Sequence, residues 1–441
     1  MRRAWLFLTL LACGGESQPA PAPTPVTPPP PATARLDAAP APADARPAVA
    51  DAPGPDLAAQ PNFNPQLATL FRVAACGGDA PIPERFDARA IERYCTALGS
   101  LIEEYRTEWL EIARPVLAEV VPATLPTTVI YPFGGSDLIS TLAVYPRADE
   151  ITIISLEPVG SAKVIDRIGG AALAASLADN RAHLAFLMRA AFHKTVDLKA
   201  MSKSGLPGEL VDALVALAVH GATPLALRYL TLADDGSITY VDDKFVDVEL
   251  TFRRADGGLA VYRHIQADLS DRRFGANAGL RAYLAARAPY AAMTKASSFL
   301  LWQRSFSIIR DTLLREAAGL VSDATAPLPE AMAAAGFVQH PYGTFTGPEP
   351  AFTSLGDKPA PVVELWRKSP GPLPFRFGYG DKHRRGHLLV SLKDPSAAPS
   401  DASAAPGDAP PVPGDAPAPS KAPRKVPTQV LTPPPSDPAA P

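Results

Sequence analysis

Few cysteines, no surplus of charge and no long apolar run: what this chain lacks narrows what it can be. Cys13, Cys76 and Cys95 are its only cysteines, and no histidine stands near the last two, which argues against a Cys-His metal centre. Lysine plus arginine number 42 against 45 acids. No basic stripe interleaves with aromatics, so nucleic acid is not an expected partner. Apolar runs are too short to span a bilayer. Also missing are the phosphate-cradling Gly-x-x-x-x-Gly-Lys-Ser/Thr, the Gly-x-Ser-x-Gly elbow, Ser-x-x-Lys and the zinc-binding His-Glu-x-x-His. No cofactor and no metal is therefore implied.

What is present begins at the amino terminus. Arg2 and Arg3, the apolar run Trp5 to Leu11, then Ala12 and Cys13 read as a short secretory signal over residues 1–12. Leu10-Leu11-Ala12-Cys13 resembles a bacterial lipobox. That resemblance implies that Cys13 is acylated and becomes the mature terminus, the alternative being an ordinary signal with a chance cysteine. Gly14 and Gly15 follow with no adjacent aspartate, which resembles outer-membrane sorting if the source is Gram-negative. The expected location is thus the cell envelope, with the membrane as partner through the N-terminal lipid. Residues 13–61 and 394–441 hold most of the 51 prolines. Such Pro/Ala-rich stretches cannot bury enough apolar surface to fold. The first is a tether able to reach on the order of 100 Å or more at about 3.1 Å per residue. In the second, Lys421, Arg424 and Lys425 are either solvated charges or a contact for an anionic envelope polymer.

An exported protein whose third cysteine is acylated most simply pairs the remaining two, Cys76 with Cys95, although two buried thiols remain an alternative. In residues 62–125, Ile91, Tyr94, Leu98, Ile102, Tyr105, Trp109 and Ile112 recur at steps of three and four. They predict a long amphipathic helix over Glu84 to Val121, kinked at Pro115.

Residues 126–393 alternate strands and helices. Thr127 to Tyr131 is β-branched and apolar, and Gly134-Gly135 makes a turn. Ser136 or Asp137 can cap a helix ending at Tyr145-Pro146, and Glu150 to Leu156 is the next strand. Glu157 follows Gly134 at about the distance of a ribose-binding acid, yet Gly134-Gly135-Ser136-Asp137 is not Gly-x-Gly-x-x-Gly. Helices are predicted over Asp166 to Val196, Pro207 to Gly221, Ala276 to Ala288, and from Phe306 to a stop at Gly319. Lys194, Lys199 and Lys203 read as a solvated connector. Val246, Val248, Leu250 and Phe252 alternate with polar residues before the Asp256-Gly257 turn, predicting a hairpin with one wet face. Leu320 to Ser322 delivers Asp323, and strands Phe337 to Thr346 and His387 to Leu392 close the domain. The fold expected is α/β, a Rossmann-like three-layer core with an antiparallel hairpin addition, preceded by a long helix. Its late strand pair echoes the Rossmann-like methyltransferase layout.

Tyr131-Pro132-Phe133-Gly134-Gly135-Ser136-Asp137, Leu156-Glu157-Pro158-Val159-Gly160, Lys295-Ala296-Ser297-Ser298-Phe299-Leu300, Phe306-Ser307-Ile308-Ile309-Arg310 and Leu373-Pro374-Phe375-Arg376-Phe377-Gly378-Tyr379 occur in that order. With them the chain resembles an uncharacterised bacterial family often found as exported lipoproteins. That family brings no known activity. Its pattern of two adjacent acids before Ser-Gly-Ile-Pro is replaced here by Ser322-Asp323-Ala324-Thr325-Ala326-Pro327, and its Ser-Gly-Pro-Asp by Gly134 to Asp137.

In an open α/β sheet, ligands sit at the carboxyl ends of strands. Gly134, Gly135, Ser136, Asp137, Glu157 and Asp323 are expected there, with Lys295 and Arg310 supplying opposite charge. Converging acids suit a cation or proton transfer. Equally, each acid can cap a helix or sit in a turn. Ser136 lacks the flanks of a nucleophile, and His383 and His387 read as a basic loop. The chain is expected to be an envelope lipoprotein whose domain binds a small ligand or a protein partner. A group-transferring enzyme with a degenerate nucleotide-type site is the competing expectation.

Overall fold

A computed structural model describes residues 62–190, 205–295, 298–324, 326–327, 329–345, 360–378 and 386–394. The chain divides into two units, Met1–Leu57 and Ala58–Pro441, and the described residues belong to the second. The signal segment, Cys13, the tether, the lysines at 194, 199 and 203, His383 and the basic tail lie outside the described residues.

Helix α1 (Asn64–Ala74) carries Pro65 in its first turn, where a missing N–H costs nothing. The carboxylate of Asp87 caps α2 (Ala88–Tyr105), accepting from the N–H groups of Arg89 and Ala90 at 2.9 and 3.2 Å. The helix runs on through a π-helical turn, Arg106–Leu110, into α3 (Glu111–Val120). Pro115, the expected kink, sits inside α3. At 3.6 residues per turn Leu110 would swing away from Tyr105. The wider turn returns it to the core face, so Tyr105, Trp109 and Leu110 are all buried. Cys76 and Cys95 form a disulfide that fastens the loop after α1 to α2.

Among the described residues ten strands make one sheet: β1 (Thr128–Pro132), β2 (Glu150–Ser155), β3 (Thr223–Leu232), β4 (Ile238–Val241), β5 (Asp247–Arg253), β6 (Leu259–Gln266), β7 (Tyr290–Thr294), β8 (Ala317–Ser322), β9 (Phe337–Gly343) and β10 (His387–Lys393). They lie in the order β4-β3-β5-β6-β2-β1-β7-β8-β10-β9. β6, β2, β1, β7 and β8 run parallel, and β10 is antiparallel to both β8 and β9. On the other flank β3, β4 and β5 add the expected antiparallel extension. The central strands are apolar on both faces because helices cover both. One face carries α1 to α3, α4 (Leu138–Val144), α5 (Val164–Arg167), α6 (Gly170–Ala190) and α7 (Gly208–Val219), packed on Val129, Tyr131, Ile151 and Ile153. The other carries α8 (Asp271–Ala276), α9 (Ala278–Ala285), α10 (Ser307–Glu316) and α11 (Pro329–Ala334), packed on Ile130, Ile154, Ala292 and Leu320. The fold is therefore the expected three-layer α/β arrangement, and the helices of 62–125 share its main core.

Three local expectations change. Helix α10 ends at Glu316, not at Gly319, because Ala317–Ser322 is already strand. Tyr290–Thr294, too alanine-rich to read as a strand, is the fully buried β7. The predicted wet face of the hairpin is partly dry: Glu249 is only 2% exposed. It is held by Arg228, by Arg263 at 2.8 Å and by the Tyr240 hydroxyl at 2.8 Å.

Candidate functional site

From β1 the sheet grows one way to β2 and β6 and the other way to β7 and β8. The crevice between the carboxyl ends of β1 and β7 is therefore the topological switch point, where such sheets bind ligands. Asp137 follows β1 and Lys295 follows β7, and here they meet each other. The Lys295 ammonium lies 2.8 Å from Asp137 Oδ2, with the two side chains 1% and 8% exposed. Lys295 also donates to Ser140 Oγ. The Tyr131 hydroxyl lies 3.0 Å from the same carboxylate oxygen and 3.1 Å from the Lys295 carbonyl, either of which accepts its proton. Asp137 stands at the N-cap position of α4, but its side chain makes no capping bond. Lys295 has claimed it.

The glycines of this turn serve packing. A Cβ on Gly134 would stand 2.6 Å from Ile153 Cγ2 and 2.9 Å from Tyr131 Cγ. Only glycine lets the chain turn this close to β1 and β2. Gly135 adopts φ 52° and Phe133 φ 61°, both left-handed. Asp323, leaving β8, is 1% exposed. Gly378 presses on it so closely that a Cβ there would lie 2.2 Å from Asp323 Cβ. The neighbouring Phe377 ring lies 5.7 Å from the Lys295 ammonium. Burial, with the Asp137 and Asp323 charges beside it, raises the Tyr131 hydroxyl well above the usual phenol range. The segment Leu373–Gly378 thus closes the crevice from outside.

Ser136 and Glu157 belong to a second group. The Ser136 hydroxyl donates to Glu209 Oε2 at 2.8 Å. Glu209, 6% exposed, has its carboxyl pushed well above the usual range, chiefly by burial, then by the Asp212 and Glu157 charges. Glu157 accepts from the Ser155 hydroxyl at 2.6 Å, while its Oε1 is buried without a partner. His264 is fully buried and donates from Nε2 to the Glu157 carbonyl at 2.9 Å. Burial lowers its pKa to about 4, so it is neutral at physiological pH. Asp212, one turn past Glu209, faces His183 at 3.3 Å.

Because Glu209 is protonated more readily in the folded state than in the unfolded one, its contribution is complete below the unfolded value. That contribution is lost as pH rises through the folded value. Glu209→Gln is expected to stabilise the protein increasingly above pH 5 and to change nothing near pH 4. Denaturant titrations across that range read the difference, and a constant offset would contradict an upward shift of the Glu209 carboxyl.

The structure therefore joins Asp137 and Lys295 directly and brings Asp323 beside Tyr131. It bonds Ser136 to Glu209 instead, sets Glu157 close enough for its charge to act on that carboxyl, and leaves Arg310 outside, paired with Asp311 at 3.0 Å. Sequence reading missed Glu209, Asp212, His183, His264, Tyr131 and Ser140. A signal was present for two of them: in α7, acids three apart interrupt a segment apolar on every side, and a helix apolar all round is buried. Among the described residues no group of three or more His, Cys, Asp or Glu side chains is placed to hold a metal ion. None of the described helices is long and apolar enough to cross a membrane. Fold and site together define a Rossmann-like α/β domain whose switch-point crevice is closed by its own residues. No family model matches the chain, and no curated protein matches it.

Proposed function

We propose that this chain is a cell-envelope lipoprotein, anchored through an acylated Cys13, whose tethered α/β domain binds a small ligand or a protein partner and performs no chemistry at its switch point. The pairing of Lys295 with Asp137 under Phe377 carries this reading. Groups that process a substrate need room at the reacting atoms, and here the charges that would greet a ligand neutralise one another. The lipobox-like Leu10-Leu11-Ala12-Cys13, the Pro/Ala-rich tether and the resemblance to exported lipoproteins support the address. Native mass spectrometry of the Cys13→Ser chain, purified without added ligand, is expected to show a retained small molecule or protein. Finding only bare protein in every preparation would count against the binding role. The same variant is expected to leave the membrane fraction, and continued membrane association would refute lipidation as the main anchor.

A second reading, a group transferase with a degenerate nucleotide site, is favoured by the parallel core with its late antiparallel pair. It is also favoured by Glu157, whose Oε1 lacks a partner at the exit of β2. Calorimetric titration with S-adenosylhomocysteine separates the two: micromolar binding abolished by Glu157→Gln supports the transferase.

A further inference from the structure

The π-helical turn Arg106–Leu110 opens a cavity of about 350 Å³ against the outer side of the Leu373–Gly378 segment. π-turns recur at functional sites because the added residue re-aims neighbouring side chains. Here it stacks the Tyr105 and Trp109 rings 5.3 Å apart at 15°. Phe375 meets Trp109 edge-on at 5.8 Å, completing a wall of three rings. On the rim, Arg189 pairs with Glu104 through two bonds of 2.9 and 2.8 Å, so each charge is largely met by the other.

Arg376 differs. One guanidinium nitrogen, Nη1, donates to the Arg189 carbonyl at 2.6 Å, and the Trp109 indole N–H fixes its backbone by donating to the Arg376 carbonyl at 2.6 Å. Its Nε–H is buried and has no acceptor. Tyr105 is only 6% exposed, and its hydroxyl has no partner either. Arg376 lines the cavity and sets a positive charge beside the three rings. The volume sits at the lower end of small-molecule sites, about 300–1,000 Å³.

We infer that this cavity binds a small planar carboxylate, its apolar body against Tyr105, Trp109 and Phe375 and its carboxylate on the open side of Arg376. The inference rests on reading the domain as a binding module, and it moves the site from the closed crevice to the π-turn. Arg376 precedes Phe377 and Gly378, which lie on Lys295 and Asp323, so an occupied cavity also steadies the segment that closes the crevice.

The test uses 2-naphthoate as probe and 2-naphthylmethanol as its neutral counterpart, titrated calorimetrically into the full Cys13→Ser chain. The acid is expected to bind at least about tenfold more tightly than the alcohol, the scale of one charge-assisted hydrogen bond. Arg376→Gln is expected to erase that preference while leaving the alcohol within about twofold. Should Arg376→Gln fold poorly, Ile112→Asp provides the second arm. Ile112 lines the cavity at a position 38% exposed, so a carboxylate there repels the probe without burying a charge. Equal affinities for acid and alcohol, or probe binding that survives both substitutions, overturns the proposal. A molecule retained in native spectra equally by the parent and both variants leaves the binding role standing and removes this site. Loss of that molecule in the variants supports it.

Discussion

Lys295→Met is expected to destabilise the folded protein by about 3–5 kcal/mol, the usual cost of stranding one partner of a buried ion pair. The reasoning starts from burial: the Lys295 and Asp137 side chains are 1% and 8% exposed. Neither can recover its hydration once the other is gone. Methionine matches the length of the lysine stem, so packing against Phe377 is retained and the loss is chiefly electrostatic. Asp137 would be left with the Tyr131 hydroxyl and must either take up a proton or expel the closing segment. Adding Asp137→Asn to Lys295→Met is therefore expected to restore most of the loss, because removing both charges leaves nothing stranded. Chemical denaturation of the two variants measures this. Additive losses in the double variant would show that the pair is not the unit of stability.

Removing the Cys76–Cys95 disulfide is expected to cost about 3 kcal/mol in the chain-entropy model for a loop of this length, the two cysteines being 19 positions apart. The bond ties the loop after α1 to α2, and both helices contribute to the main core. The Cys76→Ala, Cys95→Ala double variant should unfold at a lower denaturant concentration, and the intact protein under reducing conditions should behave like it. A variant as stable as the parent would contradict the chain-entropy account of this bond. The cavity at the π-turn lies further along the same helix, so its probe affinity in this variant reports whether the bond stiffens the site or only the fold.

Charge sites were the least legible part of the sequence. The reading placed Gly134 to Asp137, Glu157 and Asp323 at strand exits, and the structure has them at strand exits. What it did not contain was the partner of each. Asp137 was a capping candidate because it precedes a helix by one residue. Lys295, 158 positions away along the chain, takes its carboxylate instead, and only the adjacency of β1 and β7 brings the two together. Glu209 and Asp212 escaped notice because leucines dominated the pattern of α7. That dominance was itself the clue, since a helix with no polar face has nowhere wet to put an acid.

By itself, the sequence determined the covalent and periodic properties of this protein: a pair of cysteines that bond, a long amphipathic helix, apolar strands alternating with helices, and a hairpin at Asp256-Gly257. These depend on spacing within a few turns of chain, where side-chain period and backbone geometry speak directly. The tertiary structure alone decided which strands are neighbours, that the switch-point crevice is closed by Lys295 on Asp137, and that a widened helical turn opens a ring-walled cavity beside Arg376. Those outcomes depend on long-range contacts, and a residue's pattern along the chain carries no record of what a distant segment will press against it.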